Sequence, residues 1–375
     1  MHVRATMRHC NNALLGGALS AVLSFSAGFS FGAPSAQAQT TAPRSSSGQT
    51  QALPLTVDRD PVRSPDGETP GSAAKHPNVE KEGSQYVLHY DVEEVVLNAT
   101  VLDSGGHLVQ DLQKDNFTVL EDGQKQNVIS FQHTDLPVSI AFVVDNSGSM
   151  AKKRPAVNKS AIDLVEASNP NDEAFVVNFS DEAFIDQEFT SDVRRLRDGL
   201  SHIESRGGTA LYDAVVASAD KLASDAKRPK QVLVIITDGE DNASTLNLEQ
   251  TIRRVQQLSG PVIYSIGLLF GDEMSRSEQR HARRALEMLS AETGGMAFFP
   301  KSLEQVDQIA AEVARDIRSQ YTIGYHSSKP SSEPGFRRVQ VDAAEQGHGK
   351  LTVRTRTGYF PVQQRSKKPT RAQNQ

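Results

Sequence analysis

The chain has 375 residues, with 40 Lys and Arg against 46 Asp and Glu, 10 His, one Cys, no Trp and a formal net charge of −6. That mildly acidic balance lacks the basic excess a nucleic-acid binder uses to replace counterions, so no nucleic-acid partner is expected. A single Cys excludes a disulfide framework and any Cys-rich zinc or iron–sulfur site. The length fits about two domains.

Residues 1–38 read as a secretory signal peptide. Arg4 and Arg8 precede an apolar, small-residue run from Leu14 to Phe31, and Ala36-Gln37-Ala38 forms an A-x-A cleavage site. The run approaches the length of a membrane span, but Gly and Ser dilute it, and cleavage after Ala38 is expected. Cleavage removes Cys10 and two Arg and leaves a more acidic chain with no transmembrane segment. A secreted or periplasmic protein is expected. Residues 39–84 contain six Pro and no Phe, Tyr or Trp. Such a segment buries too little apolar surface to offset its ordering entropy, and a disordered linker is expected. A second disordered segment is expected at 361–375.

Residues 85–135 carry a β pattern. Tyr86-Val87-Leu88 and Val95-Val96-Leu97 are short apolar runs, and Asp103-Ser104-Gly105-Gly106 is a turn. Phe117–Leu120 and Val128–Phe131 flank Glu121-Asp122-Gly123, and Asp-Gly between alternating apolar runs signals a hairpin. From residue 136 to 318 the rhythm becomes strand–helix alternation. Val138–Val144 and Val232–Ile236 are nearly all apolar, as parallel strands buried on both faces require. Further strands are predicted at Ala174–Phe179, Val262–Leu269 and Met296–Phe299. Helices are predicted at Pro155–Ala167, Leu211–Leu222, Leu248–Leu258, Glu278–Leu289 and Leu303–Ile317. This order specifies an α/β fold, a doubly wound, mostly parallel sheet with helices on both faces. Residues 319–360 return to β, with strands predicted at Tyr321–Tyr325, Phe336–Val341 and Leu351–Thr355, the last two paired as a hairpin. An isolated hairpin is marginal in water. The two β segments, 85–135 and 319–360, are therefore expected to pair into one small β-sandwich with the α/β domain between them in sequence.

The chemistry gathers in three loops. Asp145-Asn146-Ser147-Gly148-Ser149 follows the first buried strand, Gly207-Gly208-Thr209 opens a helix, and Asp238-Gly239-Glu240-Asp241 follows the second fully apolar strand. Ligands of open α/β sheets bind beyond the carboxyl ends of the strands, at the switch in strand order. The side chains offered there are oxygen donors, suited to Mg²⁺, Mn²⁺ or Ca²⁺. The D-x-S-x-S spacing lets a tight loop turn Asp145, Ser147 and Ser149 towards one point. Alone it is also the pattern of a Ser/Gly-rich turn; its combination with Thr209 and Asp238 is what singles it out.

DNSGSM, GGTALYD and ITDGEDN, in this order, resemble the von Willebrand factor type A domain with its metal-ion-dependent adhesion site. The resemblance covers residues 136–318, and Asp145, Ser147, Ser149, Thr209 and Asp238 match all five site positions. It implies Mg²⁺ or Mn²⁺ held directly by the serines and Thr209, with the aspartates acting largely through water. The flanking segments, with Asp115-Asn116-Phe117 before and Thr357-Gly358-Tyr359-Phe360 after, resemble a bacterial group of secreted proteins carrying this domain. Two carboxylates and three hydroxyls leave a divalent cation incompletely coordinated, so an Asp or Glu carboxylate of a partner protein is expected to complete the shell. Two other readings compete. In one the metal only staples the loops together; in the other it serves a hydrolase. Ser147 stands where a haloacid-dehalogenase-like phosphatase would carry a second Asp, and no G-x-S-x-G, P-loop or H-E-x-x-H occurs. A non-enzymatic binding module is therefore expected.

Overall fold

A computed structural model describes residues 94–361, apart from 168, 202–204, 259 and 272–273, together with the backbone of four short strands between residues 55 and 88. The expected signal segment and the expected tail from 362 lie outside the described residues. Within the stretch expected to be a linker, the backbone forms strands at Leu55–Val57, Asp60–Val62 and Val79–Glu82, and the remainder lies outside the described residues.

The α/β layer is built on β5 (Val138–Asp145), where all eight residues are buried. It is flanked by β6 (Glu173–Phe179) and β8 (Lys230–Thr237), then by β7 (Ala183–Thr190) beyond β6, and by β9 (Val262–Gly267) and β10 (Ala297–Phe298) beyond β8. Among these six strands every pairing is parallel except β6 with β7, and the strands Leu55–Val57, parallel to β7, and Asp60–Val62, antiparallel to Leu55–Val57, extend the same sheet beyond β7. Successive strand residues point to opposite faces, so Ile140, Phe142 and Val144 join one core while Ala141 and Val143 join the other. The first core is covered by α1 (Arg154–Glu166), α2 (Val193–Ser201) and α6 (Val306–Arg318), through Val157, Leu164, Leu196, Leu200, Val313 and Ile317. The second is covered by α3 (Leu211–Asp225), α4 (Leu248–Gln257) and α5 (Arg276–Thr293), through Leu211, Val215, Leu222, Val255 and Leu286. The expected doubly wound architecture is therefore present. From β5 the chain moves to one side, to β6 and β7, and then crosses over α3 to β8 on the other side. The switch in strand order lies between β5 and β8.

Two elements were not anticipated. Strand β7 and helix α2 fill the interval between β6 and the Gly-Gly loop. In β7 only Ala183 and Ile185 are buried, so the strand lacks the apolar run that marks its neighbours.

The flanking β segments pair with each other. One sheet has the order β13–β1–β11–β4, made of β1 (Glu94–Leu102), β4 (Val128–Gln132), β11 (Tyr321–His326) and β13 (Thr352–Arg354). The other has the order β14–β12–β2–β3, made of β2 (Phe117–Glu121), β3 (Gln124–Gln126), β12 (Arg337–Ala343) and β14 (Gly358–Tyr359). They share a core of Leu97, Ala99, Val119, Tyr321, Ile323, Val339 and Val341, with the Phe117 and Tyr321 rings 5.0 Å apart.

The predicted pairings within this sandwich need two corrections. Asp122 (φ 48°) and Gly123 (φ 81°) do make a tight left-handed turn, but β2 pairs with Gln124–Gln126, and Val128–Gln132 crosses to the opposite sheet. The expected hairpin of the last two strands is absent: β12 pairs with β2 and β14, while β13 pairs with β1. In both places the chain changes sheet, so sequence neighbours face each other across the core. Arg337 is 4% exposed, whereas Phe336 is 40% exposed. Arg337 shares parity with Val339 and Val341 on β12, and its guanidinium sits 3.7 Å from the buried Glu121.

The α/β layer and the sandwich meet at α6 and β11. Asp316 of α6 accepts the Tyr264 hydroxyl of β9 at 2.5 Å and also holds the Arg354 guanidinium of β13. Lys230, at the start of β8, is 2% exposed and donates to the Ile317 carbonyl at 2.6 Å.

Candidate metal centre

Asp145 is the last residue of β5, in parallel register with Phe179 of β6. Its Oδ1 accepts the Ser147 amide at 2.7 Å and its Oδ2 accepts the Thr237 hydroxyl, from the end of β8, at 2.5 Å. The first bond folds the D-x-S turn over the strand end; the second ties β5 to β8 at the switch point. Asp145 is fully buried, and burial raises its pKa to about 6, with the neighbouring Asp238 adding to the rise. Beneath it lies Arg154, also fully buried. Its guanidinium donates to the Asp145 carbonyl at 3.4 Å, Asn178 Oδ1 at 2.8 Å and the Leu200 carbonyl at 3.1 Å. Burial lowers its pKa to about 10, opposed by the charge of Asp145.

A 3₁₀ turn, Gly148–Lys152, carries the loop into α1 and presents Ser149. The Ser147 and Ser149 hydroxyls are 3.2 Å apart, and Ser149 donates to Asp238 Oδ1 at 2.7 Å. Asp238 follows β8 directly and is 2% exposed. Its Oδ2 accepts the Lys153 ammonium at 2.5 Å.

Thr209 is held by its backbone. Its amide donates to Asn242 Oδ1 at 2.9 Å, and its carbonyl accepts the Asn242 amide at 3.0 Å. The Thr209 hydroxyl lies 3.1 Å from the position a Cβ on Gly239 would take, so a side chain at 239 would press on it. Gly207 has φ +79°, and a Cβ there would stand 2.2 Å from Asp181 Oδ2. The left-handed backbone and this close approach together require glycine. Asp181 in turn accepts the Gly208 amide at 2.7 Å.

The second and third loops brace each other. Asp241 accepts the Tyr212 amide at 3.1 Å and the Ser244 hydroxyl at 2.5 Å. Asp213, one turn after Thr209, is 2% exposed and accepts the Thr245 amide at 2.7 Å and the Leu246 amide at 3.1 Å. Asp213 thus fixes the loop that carries Asn242, one step behind Thr209. Of the acidic pair Glu240-Asp241, Asp241 has an inward structural role.

Asp145, Ser147, Ser149 and Asp238 therefore converge at the carboxyl edge of β5 and β8. Thr209 lines the same cleft of about 250 Å³ with Ser149, Lys153, Asp238, Phe270 and Glu278. The donor chemistry fits a hard divalent cation: two buried carboxylates and three hydroxyls, all oxygen. Among the described residues no group of three or more His, Cys, Asp or Glu assembles, here or elsewhere, so the hydroxyls must supply most of the donors. Sequence reading overlooked Lys153, Arg154, Thr237 and Asn242. Lys153 has one visible signal, its place four residues after Ser149, one helical turn along the chain.

Residues 140–240 match the family profile of the von Willebrand factor type A domain, a stretch that contains all five candidate positions. The inter-alpha-trypsin inhibitor heavy chain H4 of Bos taurus is 21% identical over 267 residues, which is 66% of this chain and 26% of that protein. Its Homo sapiens counterpart is 23% identical over 260 residues, covering 64% and 25%. The chain spans about a quarter of the length of these curated relatives. Among solved structures, a von Willebrand factor type A protein from Catenulispora acidiphila superposes with a TM-score of 0.41 at 14% identity, covering 71% of this chain and 73% of that one. The PilB minor pilin from Streptococcus sanguinis superposes with a TM-score of 0.40 at 16% identity, covering 49% and 62%. With the profile match covering β5 to β8 and the three loops, residues 140–240 match a von Willebrand factor type A domain, and the mostly parallel sheet with helices on both faces is a fold of that type.

Proposed function

We propose that this chain is a metal-dependent adhesion module, a binding protein rather than an enzyme, that holds a partner protein at the carboxyl edge of its parallel sheet. Asp145, Ser147, Ser149, Thr209 and Asp238 would hold Mg²⁺, with Mn²⁺ or Ca²⁺ as alternatives. A bound ion supplies an electrophilic position for an Asp or Glu oxygen of the partner. The observation that carries this reading is the hydrogen-bonded chain Thr237–Asp145–Ser147–Ser149–Asp238 beside an open cleft. It pre-positions the donors, so little ordering entropy remains to be lost on binding. The apolar side of the cleft, with Leu269 and Phe270, lowers the local dielectric and strengthens a contact to a carboxylate.

A purely stapling metal is less well supported. The second and third loops already hold each other through Asp213, Asp241 and Asn242. The match to a von Willebrand factor type A domain supports an interaction role. A secreted or periplasmic setting belongs to the same proposal and rests on the signal-like segment 1–38. No helix among the described residues is long and apolar enough to cross a membrane.

The test is a peptide display library with a central Asp, panned on the full chain in Mg²⁺. Enriched peptides should lose binding in EDTA, on replacement of their Asp by Asn, and against Asp145→Ala. Peptides that bind equally well in EDTA, or as Asn versions, would overturn the proposal.

A further inference from the structure

We propose that Lys153 is a tethered ammonium that competes with the divalent cation for Asp238 and so weakens the site's hold on metal. The inference rests on the metal-site reading above and names how that site is regulated.

Both oxygens of Asp238 are engaged. Oδ1 accepts the Ser149 hydroxyl at 2.7 Å, and Oδ2 accepts Lys153 Nζ at 2.5 Å. The Asp238 side chain is fully buried and that of Lys153 is 13% exposed. A charge pair this sheltered is screened little by salt. The placement is local: Lys153 follows the Gly148–Lys152 turn that carries Ser149, and it caps α1. The loop that supplies two hydroxyl donors therefore also delivers a positive charge to the carboxylate those donors surround.

A cation bound among Ser147, Ser149, Thr209 and Asp238 would stand beside this ammonium. Two positive charges on one buried carboxylate repel strongly at such range, so metal entry requires Lys153 to withdraw. The cleft offers it a place to go. The Phe270 ring, already 5.7 Å from Nζ in the ion-paired position, flanks the way out, and Glu240 and Glu278 line the same cleft. Withdrawal exchanges the sheltered ion pair with Asp238 for weaker contacts to the more solvated carboxylates of the cleft, and the difference is subtracted from the binding energy of the metal.

The experiment is calorimetric titration of the full chain with Mn²⁺, wild type beside Lys153→Met and Lys153→Gln. Met keeps the apolar stem, Gln keeps a neutral donor, and both remove the charge. Both variants should bind Mn²⁺ at least roughly tenfold more tightly than wild type. In EDTA both should unfold at a lower temperature than wild type, because Asp238 has lost its counter-charge. A lysine that only props up the loop would lower the unfolding temperature without raising affinity, so equal or weaker Mn²⁺ binding by the variants overturns the proposal. Absence of Mn²⁺ binding by all three proteins would overturn both this inference and the metal site on which it rests.

Discussion

Lys230 gives the chain a stability term with a defined sign in alkaline solution. Its ammonium is 2% exposed, at the start of β8, and donates to the Ile317 carbonyl where α6 runs into the sandwich. Burial lowers its pKa from 10.5 to about 8, with Asp135, Asp316 and Asp172 opposing the fall. Between pH 8 and 10.5 the unfolded chain keeps this proton and the folded chain releases it. The unfolded state therefore binds more protons, and stability rises with pH across that window. A displacement of this size corresponds to about 3 kcal/mol. Several tyrosines have raised pKa values, Tyr212 to about 12, and work in the opposite direction. The informative quantity is therefore the difference between wild type and Lys230→Met. Met fills the site without a charge but leaves the Ile317 carbonyl without its donor, at a pH-independent cost of about 1–3 kcal/mol. Urea unfolding at steps from pH 7 to 10.5 should show wild type gaining about 3 kcal/mol relative to Lys230→Met. Parallel curves for the two proteins would refute the reasoning.

Three further outcomes are expected. Glu121 is 1% exposed and accepts the hydroxyls of Ser327, Tyr325 and Tyr359 beside Arg337. Glu121→Leu leaves that guanidinium buried without its carboxylate and should cost about 3 kcal/mol in thermal unfolding; a loss too small to measure would contradict this account of the sandwich core. Gly207→Ala should destabilise by about 1–3 kcal/mol from its left-handed backbone alone. It should also weaken Mn²⁺ binding by displacing Asp181 from the Gly208 amide, and wild-type affinity in the variant would separate this loop from the metal site. Asp213→Ala removes the acceptor for the Thr245 and Leu246 amides. Their hydrogen exchange should accelerate roughly tenfold, and unchanged protection would show that the loop is held by other contacts.

The central strands were legible because burial on both faces forces long apolar runs, as in Val138–Asp145 and Val262–Gly267. Strand β7 was not, since it buries only Ala183 and Ile185. In the sandwich the elements were legible but their partners were not. The turn at Asp122-Gly123 identifies a hairpin, yet nothing local reveals that Val128–Gln132 joins the opposite sheet, because that choice is made by β11, far along the chain. Arg337 shares the parity of Val339 and Val341, so the alternation of the valines alone marks it as inward. At the candidate site, the five donors are marked by short spacings after buried strands. Lys153 and Arg154 are not, because their roles depend on reaching Asp238 from one loop and Asn178 from a neighbouring strand.

The central claim is that the three loops form a divalent-cation site. Its most direct test is calorimetric titration of the full chain with Mg²⁺ and Mn²⁺, wild type beside Asp145→Ala. The account predicts one ion bound per wild-type chain and none by the variant, with both proteins giving the same far-ultraviolet circular dichroism. Equal binding by a folded Asp145→Ala protein, or no binding of either ion by wild type, would contradict it.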